Sequence, residues 1–171
     1  MTTINFAQFD SLKLVHERQT LAGAMPVAGF VRLAEGLQDS SGTLDYQLRG
    51  EVDGQDRPLL KLRIAGTLQL QCQRCLGAFE HKVDFETALR LVDANALDAE
   101  YDDDPRTPDC IAASTAFDLA ALIEDEVLLA LPPYPRHEAG RCSASAAGIA
   151  KEAGAKILAF SALQALKAKQ E

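Results

Sequence analysis

Cys72-Gln73-Arg74-Cys75 sets two thiols three residues apart, a spacing that lets both sulfurs hold one metal ion from a single tight turn. Far along the chain, His137 and Cys142 offer an imidazole and a third thiol. Three thiolates and one imidazole make a donor set that zinc favours. A zinc ion held this way would clip the proline-rich segment around His137 onto whatever carries the tetrad. Two other chemistries share the pattern: a redox dithiol, or two buried thiols with no chemistry at all. The redox reading needs a helix directly after the pair, whose N-terminus lowers the first thiol's pKa. Here Phe79, Val83, Phe85, Leu89 and Leu91 resume a strand-like alternation, so thiol–disulfide exchange is disfavoured.

Other catalytic patterns find little support. His16, His81 and His137 lie in separate segments, and none belongs to a His-Glu-x-x-His motif or a nucleophile triad. No glycine-rich phosphate loop is present. Glu124, Asp125 and Glu126 crowd one stretch and read as a solvated helix face. Their rival role is to gather metal in an RNA-processing enzyme, which would require a cleft that nothing else in the sequence signals. The expectation is a non-enzymatic protein with no small-molecule substrate.

The tetrad is positioned by a period-two pattern. Leu44, Tyr46, Leu48 and Val52 share one parity, opposite Asp45, Gln47, Arg49 and Glu51. After the turn signal Asp53-Gly54, Leu60, Leu62, Ile64, Leu68, Leu70 and Cys72 share a face, opposite Lys61, Arg63, Thr67, Gln69 and Gln71. Alternation this long predicts half-buried antiparallel strands in a meander, open or curling towards a barrel, with the tetrad joining the second strand to the third. Cys72 falls on the apolar parity, which suits a closed structural site. Ser11–Ala24 reads as a helix ended by Gly23 and Pro26, and residues 29–37 as a further strand or a helical turn. Residues 93–114 are acidic, carry Pro105 and Pro108 and read as a solvated loop, with Cys110 a free thiol without a role. A helix over 115–131 follows, with Thr115 as N-cap and Asp118 three residues later. The fold class is therefore α+β: residues 1–142 form one domain, and 143–171 a linker and an amphipathic C-terminal helix whose stripe is Ile157, Leu158, Ala162, Leu163 and Leu166.

Composition bounds the partners. The chain of 171 residues has a formal charge of −8, which argues against a general nucleic-acid coat. From Arg57 to Val92, however, six bases face three acids, so the stretch around the tetrad is net +3. Lys61, Arg63, Arg74 and Lys82 are the candidates for contact with RNA or a protein partner. Asp93–Asp104 holds six carboxylates and no base. No run approaches the about 18 apolar residues of a membrane span, and Met1–Phe6 lacks the start of a secretory signal. Four cysteines without an export signal point to reduced thiols in the cytoplasm.

With these residues laid out, the chain resembles the YceD family, the bacterial large ribosomal RNA subunit accumulation proteins. The resemblance is carried by Leu70-Gln71-Cys72-Gln73-Arg74-Cys75-Leu76 with Phe79 and His81, and by Phe117-Asp118-Leu119. It continues through Ile123–Pro132, His137, Cys142 and the terminal Phe160–Lys167. The resemblance implies a role in the synthesis, processing or stability of 23S ribosomal RNA and so in large-subunit assembly. The partner it implies is 23S RNA, a large-subunit protein or an assembly factor. It implies no catalytic activity, and metal binding by its cysteines only as a suggestion. A pure protein-interaction adaptor using the acidic stretch and the tail is the other alternative.

Overall fold

The alternating residues of the middle region build three long antiparallel strands: β3 (Thr43–Val52), β4 (Pro58–Gln71) and β5 (Ala78–Val92). These belong to a computed structural model, which describes residues 8–100, 104, 107–138 and 140–142. Register follows from the pattern, because a one-residue slip would turn every apolar side chain outward. Leu48 stands opposite Leu62 and Leu60 opposite Leu89, so the apolar parities of all three strands meet on one face. Leu44, Leu48, Leu60, Leu62, Ile64, Leu68, Val83 and Leu89 are buried there. Burying each such side chain contributes about 1.5–3 kcal/mol, which makes this row the main stabilising element.

The β3–β4 turn is fixed by Asp53. Its carboxylate accepts from the Gln55 N–H at 2.8 Å, the Arg57 N–H at 3.0 Å and Arg57 Nε at 2.6 Å. The backbone donor of Arg57 is the largest influence holding the Asp53 carboxyl below its ordinary pKa.

The N-terminal region departs from the expected helix over Ser11–Ala24. Helix α1 covers Ser11–His16 only, capped by Asp10, whose carboxylate accepts from the Lys13 N–H at 2.9 Å. The chain then turns into β1 (Thr20–Pro26), which pairs antiparallel with β3 from Thr20↔Arg49 to Pro26↔Thr43. The physical reason is the bare edge of β3, whose N–H and C=O groups gain partners that outweigh the local helix preference. Helix α1 crosses β3 at Gly50. A Cβ there would come within 2.6 Å of both the Leu14 carbonyl carbon and the Val15 Cα, so only glycine permits the approach.

Residues 29–37 resolve into a helical turn. A 3₁₀ turn at Val27–Gly29 leads to α2 (Val31–Glu35), and β2 (Leu37–Asp39) pairs with the far end of β4. The stretch 93–114 is not wholly a loop. It contains α3 (Leu97–Glu100) and β6 (Asp109–Ala112), which joins the sheet parallel to β5 with Arg90↔Cys110 and Leu91↔Ile111 in register. Cys110 is accordingly not isolated: Arg90 Nη2 lies 3.0 Å from its sulfur.

Helix α4 is Leu119–Ala130, and its N-cap is Asp118, not Thr115. The Asp118 carboxylate accepts from the Ala121 N–H at 3.0 Å, leaving Thr115 in the preceding turn. Leu119, Leu122, Ile123 and Val127 bury the apolar stripe in the same core as Leu33 and Phe30. The described strands form an open mixed sheet in the order β1-β3-β4-β5-β6, with β2 on the extension of β4, so the architecture is α+β and does not close into a barrel. No helix among the described residues is long and apolar enough to cross a membrane. The linker and helix expected over 143–171 lie outside the described residues.

Candidate metal centre at the end of the sheet

Strand β4 ends at Gln71 and β5 begins at Ala78, and the six residues between them form a knuckle. Its backbone is closed on both sides: the Cys72 N–H donates to the Gly77 carbonyl and the Leu76 N–H to the Cys72 carbonyl, each at 2.9 Å. Leu76 adopts a left-handed φ of +59°, which lets the chain reverse within so few residues. The segment after α4 docks here. Gln73 N–H donates to the Pro135 carbonyl at 2.9 Å, which brings His137 and Cys142 over the knuckle.

The four predicted ligands converge. The Sγ atoms of Cys72, Cys75 and Cys142 and a ring nitrogen of His137 all lie within 4.8 Å of one another. Cys72 Sγ is 3.7 Å from Cys142 Sγ, and His137 Nδ1 is 3.4 Å from Cys75 Sγ and 3.7 Å from Cys142 Sγ. Zinc–sulfur bonds of about 2.3 Å and zinc–nitrogen bonds of about 2.0 Å in a tetrahedron imply donor separations of about 3.5–3.8 Å. The donor set and its spacings therefore fit zinc, and four protein ligands would leave no open coordination position. Such a site holds chains together and performs no chemistry on a substrate.

The supporting shell also fits. His137 Nε2 lies 3.2 Å from the Ala78 carbonyl, so an Nε2–H donating there leaves Nδ1 with its lone pair towards the sulfurs. The ring packs against Phe79 with centroids 5.1 Å apart. Cys72 is fully buried. Burial pushes its thiol up, but backbone donors from His137, Cys75 and Arg74 and the His137 ring outweigh this and hold it at about 5. Burial raises the Cys142 thiol, and the neighbouring sulfurs add to this against the pull of Arg74. Arg74 Nε donates to Cys142 Sγ at 3.0 Å. Three thiolates exceed the charge of one divalent ion by one, and this guanidinium supplies the balancing charge.

The basic candidates divide between two places. Arg74 sits in the knuckle, whereas Lys61, Arg63 and Lys82 lie on the outer face of β4 and β5. Lys61 pairs with Glu51 at 2.8 Å and Arg63 with Asp84 at 2.9 Å, while Lys82 stands exposed opposite Thr67. The net +3 of the sequence window is thus interleaved on the sheet with acids, one of them from β3.

Of the acidic trio on α4, Asp125 is exposed as its composition predicts, whereas Glu124 and Glu126 are not. Glu124 is buried, and its carboxylate accepts from the Leu33 N–H at 3.1 Å and from Arg32 Nε at 3.0 Å. Arg32 also pairs with Asp125 at 2.7 Å, so one guanidinium bridges both acids and ties α2 to α4. Glu126 is half-buried, and burial raises its carboxyl above the usual range. Two of the three carboxylates are thus engaged by one structural arginine. Among the described residues the Cys72, Cys75, His137 and Cys142 set is the one group of donors arranged for a metal.

Comparison with known proteins places the chain in a family. The family model of the large ribosomal RNA subunit accumulation protein YceD matches residues 60–167, a span that includes all four candidate ligands. A curated relative from Haemophilus influenzae, the large ribosomal RNA subunit accumulation protein YceD, is 30% identical over 139 residues, covering 80% of this chain and 78% of its own. No solved structure matches the chain. The family match over most of the chain and the curated relative together establish that the chain belongs to the YceD family.

Proposed function

We propose that this protein supports the accumulation of 23S ribosomal RNA during large-subunit biogenesis, as a factor without catalytic activity of its own. One structural zinc, held by Cys72, Cys75, His137 and Cys142, would fix the end of the sheet as a contact surface for 23S RNA, a large-subunit protein or an assembly factor. The observation that carries this reading is the meeting of four zinc-type donors from two distant segments, both inside the family match. A closed four-ligand site gives shape, and shape is what an assembly factor contributes. Arg74 is the contact candidate built into that shape, and Lys61, Arg63 and Lys82 are candidates on the adjoining face. The work of such a protein would take place in the cytoplasm, beside the maturing subunit.

The test is complementation in a bacterial strain lacking its own YceD protein. Expression of this chain is expected to restore 23S RNA relative to 16S RNA, and Cys75→Ser at equal protein level is expected to restore it less. Full restoration by a chain lacking both Cys72 and Cys75 would overturn the structural-site reading. No change of 23S RNA with the unaltered chain would overturn the functional one.

A further inference from the structure

The segment docked on the knuckle carries a feature that the candidate metal site does not use. Among the described residues, Phe30 is buried and Phe9, Tyr46, Phe85 and Phe117 pack on the core, while Phe79 lies against His137. Tyr134 differs, with 72% of its surface exposed. It stands in Pro132-Pro133-Tyr134-Pro135, where three prolines restrict the backbone and the following Pro135 disfavours a helical conformation at Tyr134. The backbone that carries this exposed ring is thus restricted before anything binds it.

Charge collects at the same place. Tyr134 and Arg136 flank the carbonyl that receives the Gln73 N–H, and Arg74 follows Gln73. Arg136 is exposed, and the two Nη groups of Arg74 have no acceptor among the described residues once Nε is spent on Cys142. A guanidinium pinned by one nitrogen presents its outer edge in a fixed plane, suited to phosphate. In a chain of formal charge −8, two exposed arginines near the one exposed aromatic among the described residues suit a polyanion with flat, apolar faces.

We propose that this edge of the knuckle is a subsite for unpaired RNA, with a base stacked on the Tyr134 ring and flanking phosphates on Arg74 and Arg136. The inference rests on the ribosomal-RNA reading above and sharpens it: the RNA is bound as a single strand, without strong base preference. Duplex RNA hides its base faces in the stack and leaves the ring without a partner. Lys61 and Arg63, each held by an acid on the sheet, are not needed for this contact.

The test uses the full chain loaded with zinc and a labelled single-stranded RNA of about 12 nucleotides, with the same sequence in a duplex as competitor. The single strand is expected to bind about tenfold or more tightly than the duplex, and Tyr134→Ala to weaken it by about tenfold with zinc content unchanged. Tyr134→Phe keeps the ring and is expected to retain binding. Arg136→Gln is expected to reduce the salt dependence by about one phosphate contact, while Lys13→Gln, at the opposite end of the sheet, leaves binding as it was. Equal affinity for single strand and duplex, or undiminished binding by Tyr134→Ala, overturns the subsite. So does loss of a large-subunit protein, and not of RNA, from Tyr134→Ala pulldowns. Complementation separates this from the broader reading: if the unaltered chain and Tyr134→Ala both restore 23S RNA, the subsite fails and the assembly role stands.

Discussion

Cys72 and Cys142 lie 70 residues apart in the chain, and their sulfurs stand 3.7 Å apart. The approach is held by the knuckle, the Gln73–Pro135 hydrogen bond, the Arg74 Nε donor to Cys142 and the shared cluster with His137. Without a metal, three sulfurs crowd a small volume with one guanidinium to balance them. With a metal, the same distances become the edges of a coordination shell.

Zinc should therefore act on the docked segment more than on the sheet. Chelation is expected to raise amide exchange at residues 72–77 and 132–142, leaving Leu60, Leu62, Ile64 and Leu89 protected. At free zinc a hundredfold above the dissociation constant, stabilisation of about 2.7 kcal/mol follows from mass action, equivalent to a midpoint shift of about 5–10 °C for a chain of this size. Differential scanning calorimetry with and without zinc reads this shift, and an unchanged midpoint would argue that the segment docks without metal.

The α2–α4 clasp gives a second prediction. Glu124→Ala leaves the buried Leu33 N–H without its acceptor and removes a partner from Arg32, at an expected cost of about 2–4 kcal/mol in urea denaturation. Asp125→Ala, which removes only an exposed pair, is expected to cost less than about 1 kcal/mol. Equal effects would mean that burial of Glu124 matters little.

Gly50 and Gly54 make a matched pair. Gly50→Ala drives a methyl into the backbone of α1 and is expected to destabilise by about 1–3 kcal/mol, because the obstructing atoms are main chain. Gly54→Ala meets nothing within 4 Å and is expected to be neutral or slightly stabilising. Chemical denaturation of both variants checks the close crossing of α1 over β3.

Asp53 supplies a pH signature. Its folded pKa is lowered, chiefly by the Arg57 N–H against the opposing effect of burial, so its stabilising contribution is present above the unfolded value. That contribution is lost as pH falls from the ordinary 3.8 through the lower folded value. The stability difference between the native chain and Asp53→Ala is thus expected to be constant near neutral pH and to shrink in acid below 3.8. A difference that persists unchanged into strong acid would assign the turn's stability to other contacts.

What could be read from the sequence depended on the range of the interaction. Strands β3 to β5 were legible because alternation is local, and the convergence of the four candidate metal ligands because residue type alone restricts their chemistry. Strand β1 was not legible, since Thr20–Pro26 becomes a strand only by pairing with an edge more than 15 residues away. Strand β6 is four residues inside an acidic stretch, too short to show a period. Glu124 looked like the exposed Asp125 beside it because its partners, Leu33 and Arg32, are 91 and 92 residues distant. Tyr134 had a signal, an aromatic among prolines, but only the fold shows that its ring stays outside the core.

The most direct test of the metal centre is native mass spectrometry of the full chain purified without chelator. One zinc per chain, absent from Cys75→Ser, is the predicted result. A folded, metal-free chain that takes up no added zinc would contradict it.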